Sequence, residues 1–163
     1  MKKAKDQLQA LLDREAIRDL PLRYCDCVWR NDVAGLIKLF SKEGEFVIST
    51  KGEESGAKGH ADLLDFYRKG LEIGPRPFIH NHVIELRDPK RATGRCYLAL
   101  HSVQQNMDFI GAGYYADSYV KVKGEWRFAR RHFTAVRLDQ PATKSAAPAA
   151  KPKTARARRA KIH

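Results

Sequence analysis

Histidine is the residue type whose spacing in this sequence first suggests a chemical site. His80 and His82 lie two positions apart on a predicted strand, and His101 and His132 lie on later predicted strands. Side chains two positions apart share one face of a strand, so these imidazoles, together with a carboxylate, could bind zinc or iron. The sequence contains no HExxH motif, and we expect neither a metal nor another cofactor.

Other well-known catalytic arrangements have no matching spacing. We find no Ser-His-Asp arrangement, glycine-rich phosphate loop or pair of glycosidase carboxylates. Cys25 and Cys27 lie two apart on a predicted helix and therefore point to nearly opposite sides, and Cys96 is the third cysteine. An odd number of cysteines in a chain poor in cysteine indicates reduced packing residues.

The net charge of +12 is concentrated at the C-terminus. The last 24 residues contribute seven positive charges and no acidic side chain, which leaves +5 on residues 1–139. Residues 140–163 are rich in alanine, proline and basic residues, so we expect a disordered tail following a single domain over residues 1–139. Such a tail could contact nucleic acid or anionic surfaces weakly and without sequence specificity.

The hydropathy pattern bears on location. No apolar run approaches the length that crosses a bilayer. The first residues, MKKAKDQLQALLDREA, are interrupted by charge too early for the apolar region of a signal peptide. We therefore expect no membrane insertion and a cytoplasmic location.

The first thirty residues have a helical pattern. Apolar side chains recur at spacings of three and four, which predicts one amphipathic helix over residues 5–29. Pro21 lies inside this segment and should kink or restart the helix near Asp19, because proline lacks a backbone N–H and clashes with the preceding turn. The apolar face consists of Leu8, Leu11, Leu12, Leu20, Tyr24, Cys27 and Val28.

Two further helices are predicted. Asn31 or Asp32 can cap a second helix over residues 33–40. A third helix is predicted over residues 60–72, where apolar residues again follow a helical spacing.

Strand patterns fill most of the remaining domain. A short strand is predicted at 45–50, followed by a polar loop at 51–60, and longer strands are predicted at 78–87 and 92–105. Because the helices come first and most strands later, the predicted class is α+β with an antiparallel sheet.

The segment Gly111–Arg131 predicts a β-hairpin. Alternation places Tyr115, Asp117 and Tyr119 on one face of the first arm. Gly124 supplies the turn. In the second arm, the same alternation groups Trp126, Phe128 and Arg130 on one face and Arg127, Ala129 and Arg131 on the other.

Five segments together resemble one known family. EAIRDLPLRY, DVAGLIKLF, FIHNHVIEL, ATGRCYLAL and GYYADSYVKVKGEWRFARR follow one another across about residues 10–138. Their order resembles the SnoaL-like branch of the nuclear transport factor 2-like (NTF2-like) superfamily. The resemblance implies a cone-shaped α+β barrel, in which a curved antiparallel sheet wraps around N-terminal helices and leaves a deep apolar pocket.

The resemblance also implies a range of functions. Similar proteins include polyketide cyclases, scytalone and bile-acid dehydratases, hexachlorocyclohexane dehydrochlorinase and steroid isomerase. A lyase or isomerase acting on a hydrophobic cyclic or polyketide-like small molecule is therefore expected, as a homodimer. Because one fold supports many chemistries, two alternatives stay open: a non-catalytic ligand-binding protein, or an assembly subunit.

The lyases that this chain resembles pair an aspartate near the end of the first helix with a histidine on the strand after the third helix. Alignment of the shared segments places these positions at Trp29 and Pro77. Neither residue can exchange a proton as a base or acid. Asp26, one helical turn before Trp29, and His80, three residues after Pro77, are the nearest replacements.

The resemblance implies further site residues. Tyr24 matches a tyrosine of related dehydratases, and Arg131 matches a basic residue on the last strand of similar lyases, where it could stabilise an anion. Alternatively, Tyr24 is a core aromatic residue and Arg131 an exposed sheet residue. The predicted catalytic residues are Tyr24, Asp26, His80 and Arg131, and the predicted substrate-binding residues are Trp29, Asn81, Tyr115 and His101.

Overall fold

Three α-helices, one short 3-10 helix (Val103–Gln105) and six strands make up the part of the chain that the computed structural model describes, residues 2–139. The predicted basic tail, residues 140–163, lies outside the described residues. The helices are α1 (Lys2–Trp29), α2 (Val33–Lys38) and α3 (Gly59–Gly70). The strands are β1 (Phe40–Thr50), β2 (Glu53–Lys58), β3 (Arg76–Asp88), β4 (Arg91–Ser102), β5 (Asp108–Val122) and β6 (Glu125–Leu138).

The six strands form one curved, unclosed sheet in the order β2-β1-β6-β5-β4-β3. Helix α1 packs against β3 and β6, and α3 packs against β1. The α+β class and the cone architecture are therefore confirmed. One detail of the predicted antiparallel sheet is wrong: β1 pairs with β6 in parallel, whereas the other neighbours are antiparallel. A long connection separates β1 from β6, so no hairpin turn forces them to run in opposite directions.

Strand β2 corrects the prediction of a loop over residues 51–60. Lys51 and Gly52 both have positive φ, 52° and 85°, and form a two-residue turn that folds β2 back onto β1. No side chain of β2 is buried. A polar edge strand lacks the alternation of apolar and polar residues by which strands are recognised.

Helix α1 differs from its prediction at two points. It continues through Pro21 without a restart. Leu8, Leu11 and Leu12 are exposed, Leu11 by 65%, because Asp13 is the first residue of the helix to be buried and the preceding turns extend beyond the core. The side chains that do face the core are Ile17, Leu20, Pro21, Tyr24, Cys27 and Val28.

The short helix α2 begins as predicted. The Asp32 side chain accepts a hydrogen bond of 2.8 Å from the backbone N–H of Gly35, which is the expected N-cap contact. No helix within residues 2–139 combines the length and hydropathy needed to cross a bilayer.

The first arm of the β5–β6 hairpin confirms the predicted alternation. Tyr115, Asp117 and Tyr119 are all buried and share the inner face of the sheet, which covers α1. The turn is formed by Lys123 and Gly124, both with positive φ.

The second arm contains a β-bulge that alternation cannot reveal. Ser118 pairs with Arg130, whereas Tyr119 pairs with Phe128, so Ala129 is an extra residue on β6. The bulge reverses the alternation after Phe128. Arg131 therefore lies on the inner face with no exposed surface, which corrects its predicted placement on the opposite face.

Candidate functional site

A cavity of about 270 Å³ lies between α1, α3 and the inner face of the sheet. Most of its wall is apolar, with residues from both helices, from five strands and from the loop between α3 and β3. Three tyrosines, Tyr24, Tyr67 and Tyr115, also line it. None of the described residues in the wall is an aspartate, a glutamate or a histidine.

Two of these tyrosines form a hydrogen-bonded pair. The hydroxyl oxygens of Tyr24 on α1 and Tyr67 on α3 lie 3.0 Å apart. Burial raises the pKa of both hydroxyls well above its ordinary value, so both keep their protons near neutral pH. Only one of the two protons is used within the pair.

Arg131 lies directly behind the tyrosine-lined wall. Its guanidinium carbon is 3.6 Å from the ring centre of Tyr115 and 4.2 Å from that of Tyr24. Although burial opposes its charge, Asp117 and the surrounding tyrosines raise the pKa of Arg131, which stays cationic. Its side-chain nitrogens have no hydrogen-bond partner among the described residues.

Asp117 is the register partner of Arg131 and is likewise buried. Oδ2 of Asp117 lies 3.6 Å from Nη2 of Arg131, beyond hydrogen-bond distance. The same oxygen accepts a hydrogen bond of 3.0 Å from the Tyr119 hydroxyl. Burial raises the pKa of Asp117 to about 6, against the opposing effects of Arg131 and Tyr119.

His82 extends this polar chain to β3. Its Nε2 lies 3.0 Å from the Tyr119 hydroxyl oxygen. Because Tyr119 gives its only proton to Asp117, His82 must donate from Nε2, which fixes its neutral tautomer. Burial, together with the positive charges of Arg131 and Arg18, lowers the pKa of His82 to about 4. His82 is therefore neutral at physiological pH.

The structure brings three of the predicted site residues together. Tyr24 and Tyr115 line the cavity and Arg131 stacks behind them. Asp26 and His80 do not join them: both are exposed, and Asp26 forms an ion pair with Arg30 at 3.2 Å. Of the four predicted catalytic residues, Tyr24 and Arg131 therefore lie at the cavity wall, whereas Asp26 and His80 lie outside it.

Trp29 and Pro77 contact each other. These are the positions at which the family resemblance predicted an aspartate and a histidine. Nε1 of Trp29 donates a hydrogen bond of 2.9 Å to the backbone carbonyl of Pro77, which also accepts one of 3.1 Å from Sγ of Cys25. The ring of Trp29 packs edge-on against Phe78 and is 39% exposed, outside the cavity. A structural contact therefore joins these two positions, and neither has a titratable side chain.

The remaining predicted binding residues lie away from the cavity. Asn81 is exposed. Nδ1 of His101 lies 2.7 Å from the backbone carbonyl of Met107, to which it donates, and its ring packs against Phe78 and Phe109.

The histidines do not form a metal site in the part of the chain that the structure describes. His80 is exposed, whereas His82 reaches Tyr119, because a register shift between Ile79 and His82 interrupts the strand. This shift corrects their predicted placement on one face. His132 contacts the Ser49 hydroxyl at 2.6 Å. No group of three histidine, cysteine, aspartate or glutamate side chains within residues 2–139 is arranged to hold a metal ion.

A known domain family covers most of the described residues. The sequence profile of the SnoaL-like domain matches residues 9–132. The chain belongs to the SnoaL-like domain family. No curated protein matches this SnoaL-like chain significantly in sequence.

Solved structures share the fold of this SnoaL-like domain. An NTF2-like protein with a cystatin-like fold from Novosphingobium aromaticivorans is 22% identical, with a TM-score of 0.72 over 83% of this chain and 90% of its own. A scytalone-dehydratase-like protein from the same species is 22% identical, with a TM-score of 0.68 over 85% and 99%. The hexachlorocyclohexane dehydrochlorinase LinA-type3 from Novosphingobium barchaimii is 19% identical, with a TM-score of 0.71 over 87% and 99%. At these identities the likeness concerns the fold.

Three residues of this SnoaL-like site were not among the predicted catalytic or substrate-binding residues. Tyr67 lies on the apolar face of α3, where a hydroxyl must find a partner. Asp117 falls between Tyr115 and Tyr119 on the predicted inner face, and a carboxylate on a buried face is itself an indication of function. His82 becomes part of the network only through the irregular register of β3, which the sequence does not show.

Proposed function

We propose that this SnoaL-like protein binds a small, largely apolar molecule that carries a carbonyl or hydroxyl oxygen. The observation that supports this proposal is the cavity wall, whose side chains are all apolar except for those of Tyr24, Tyr67 and Tyr115. An apolar cavity of about 150 Å³ can hold benzene, so the larger volume of about 270 Å³ suits a bicyclic ring system. Few polar groups in an apolar cavity orient a ligand by its oxygen.

The tyrosine pair supplies the contact for that oxygen. Tyr24 and Tyr67 stay protonated and have one proton to donate outside the pair. Arg131 lies behind the ring of Tyr24 and places a positive charge on that side of the cavity. A carbonyl oxygen, whose dipole is negative at the oxygen, is favoured there.

Lyase or isomerase chemistry is the second candidate, and Arg131 is the observation in its favour. A hydrogen bond from Tyr24 or Tyr67 and the charge of Arg131 would both stabilise the oxyanion that forms when a proton leaves the carbon beside a carbonyl. This candidate needs a base. Binding is therefore the better supported function, because no carboxylate or imidazole stands among the described wall residues.

The binding proposal is tested with two probes, 2-naphthol and naphthalene, in calorimetric or fluorescence titrations. We expect 2-naphthol to bind and the double variant Tyr24→Phe/Tyr67→Phe to bind it about fivefold more weakly, since one hydrogen bond contributes about 1 kcal/mol. Naphthalene, which has no oxygen, should bind both proteins equally. Tyr97→Phe, at an exposed tyrosine, is the matched control.

Two results would contradict the binding proposal: no binding of 2-naphthol by the native protein, or equal affinity for it in the double variant. The second candidate is tested with 2-tetralone in deuterated buffer. Lyase or isomerase chemistry predicts accelerated exchange of the protons beside its carbonyl, and loss of that acceleration in Arg131→Met.

A further inference from the structure

The charge pair behind the cavity wall is incompletely bonded. Asp117 and Arg131 face each other across β5 and β6 with 3.6 Å between Oδ2 and Nη2. Oδ1 of Asp117 and all three side-chain nitrogens of Arg131 are buried without a hydrogen-bond partner among the described residues. Buried polar groups are normally paired, so this arrangement leaves the charge of the guanidinium only loosely compensated by its carboxylate.

Among the buried titratable groups around Arg131, Asp117 is the one that changes charge near neutral pH. Burial raises its pKa to about 6, raises the pKa of Cys96 to about 11 and lowers that of His82 to about 4. The pKa of each surrounding tyrosine hydroxyl lies well above its ordinary value. The groups around Asp117 are Arg131 from β6, Tyr115 and Tyr119 from β5, Cys96 from β4, Tyr24 and Tyr67 from the helices, and His82 of β3 behind Tyr119.

The charge of Asp117 decides what the cavity offers to a ligand. With Asp117 ionised, the pair is neutral overall, and an anion in the cavity is not attracted. With Asp117 protonated, the positive charge of Arg131 is uncompensated, and it lies against the rings of Tyr24 and Tyr115 that form the wall. Charges act strongly across such a short distance in an apolar interior.

We propose that Asp117 sets the charge of the ligand that the cavity accepts, so that an anionic ligand binds together with uptake of one proton by Asp117. A neutral ligand binds without that proton. Asp117 is a positioning residue: it acts through Arg131 and does not touch the ligand. This inference rests on the proposed binding function.

The Tyr119 hydroxyl affects the pH at which Asp117 takes up its proton. Its hydrogen bond to Oδ2 favours the ionised carboxylate. In this row of hydrogen bonds, His82 donates to the Tyr119 hydroxyl, which in turn donates to the carboxylate of Asp117. Removing the hydroxyl should therefore make Asp117 take up its proton at higher pH, without changing the cavity wall, to which Tyr119 does not belong.

The test compares 2-naphthoate, an anion, with 2-naphthol, which is neutral, between about pH 5 and pH 8. For 2-naphthoate we expect the affinity to rise about tenfold per pH unit as the pH falls toward 6, and then to level off. Calorimetry in two buffers with different ionisation enthalpies should show uptake of about one proton at the upper end of this range. The affinity for 2-naphthol should not change with pH.

Three variants sharpen this result. Asp117→Asn should bind 2-naphthoate with an affinity independent of pH. Tyr119→Phe should move the levelling-off point to higher pH, and it keeps the test decisive if Asp117→Asn fails to fold. Asp62→Asn, at an exposed carboxylate of α3, should behave like the native protein.

The outcomes separate the two proposals. If neither probe binds, the proposed binding function fails, and this inference fails with it. If 2-naphthol binds but 2-naphthoate binds without proton uptake, or does not bind at any pH, the inference about Asp117 alone is overturned.

Discussion

Two buried aspartates in this domain, Asp13 and Asp117, have pKa values shifted in opposite directions. Asp13 on α1 accepts hydrogen bonds from Lys121 at 2.6 Å, Trp126 at 2.9 Å and Gln9 at 3.1 Å. Burial alone would raise its pKa, but these donors hold the pKa of Asp13 below its ordinary value. Asp117 has one hydrogen-bond donor and a guanidinium at 3.6 Å, and its pKa rises to about 6.

The difference separates a structural contact from a functional candidate. Asp13 connects α1 to both arms of the β5–β6 hairpin, and its carboxylate accepts three hydrogen bonds. Asp117 lies behind the cavity wall beside Arg131, where both side chains leave polar atoms unpaired. Incompletely bonded buried charges cluster at functional sites, whereas fully bonded ones hold elements together.

The largest effect is expected from Arg131→Met. Removing the guanidinium leaves Asp117 as a buried carboxylate without a counter-charge, so we expect a loss of about 4 kcal/mol in the free energy of unfolding at pH 8. Urea denaturation measures this loss. It should be smaller at pH 5, where Asp117 takes up a proton.

The matched control for this variant is Arg130→Met, because Arg130 is partly exposed and pairs with Glu45. Its effect should stay within about 1 kcal/mol. The double variant Arg131→Met/Asp117→Asn should recover part of the loss, since it removes the unpaired charge. A loss below about 1 kcal/mol in Arg131→Met would show that the two aspartates do not differ as described.

A smaller effect is expected from Asp13→Asn, about 2 kcal/mol at pH 7, because the charge-assisted contacts to Lys121 and Trp126 weaken. The folded pKa of Asp13 lies below its unfolded value. Its contribution is therefore present above the unfolded pKa and is lost as the pH falls through the folded pKa. Denaturation at several pH values should show the variant and the native protein converging in acid.

Asp19→Asn is the control for Asp13→Asn, since Asp19 lies on the same helix in an exposed ion pair with Arg23. It should change the free energy of unfolding by less than about 1 kcal/mol. An equal effect of the two substitutions would remove the structural role assigned to Asp13.

The smallest effect is a change in how the free energy of unfolding varies with pH. The folded pKa of Asp117 is about 6, above its unfolded value, so this group makes the native protein more stable as the pH falls from about 6 to about 4. His82, with a folded pKa of about 4 and an unfolded value near 6.5, has the opposite effect over a similar range.

Asp117→Asn removes the first contribution and keeps the second. The variant should therefore lose stability on acidification relative to the native protein, by at most about 1.4 kcal/mol per pH unit. Parallel pH profiles of the two proteins in chemical denaturation would contradict the raised pKa of Asp117.

Regular patterns made much of the fold predictable. The hairpin arm with Tyr115, Asp117 and Tyr119 alternates without interruption, and the structure places all three on the inner face. Asp32 precedes an apolar run and caps α2. Local patterns of this kind depend on side-chain periodicity alone, which is set by backbone geometry.

The failures of prediction lie where neighbouring strands decide the geometry. Ala129 is an ordinary residue in the sequence, and only its pairing with β5 makes it a bulge that turns Arg131 inward. Leu8 and Leu11 fit the helical pattern, but α1 extends beyond the surface that could cover them. Asp13 could have been noticed, because it lies four residues before the buried Ile17 on the same helix face.

Sequence alone was enough to predict the α+β class, the order of the three helices and of five of the six strands, and the absence of titratable side chains at Trp29 and Pro77. Which polar groups contact one another depends on the packing of the helices against the sheet. The tertiary structure paired Tyr24 with Tyr67, placed Arg131 behind their wall and left Asp117 as its incomplete partner. These contacts join residues far apart in the chain, and their distances depend on register, bulges and packing, which periodicity does not specify.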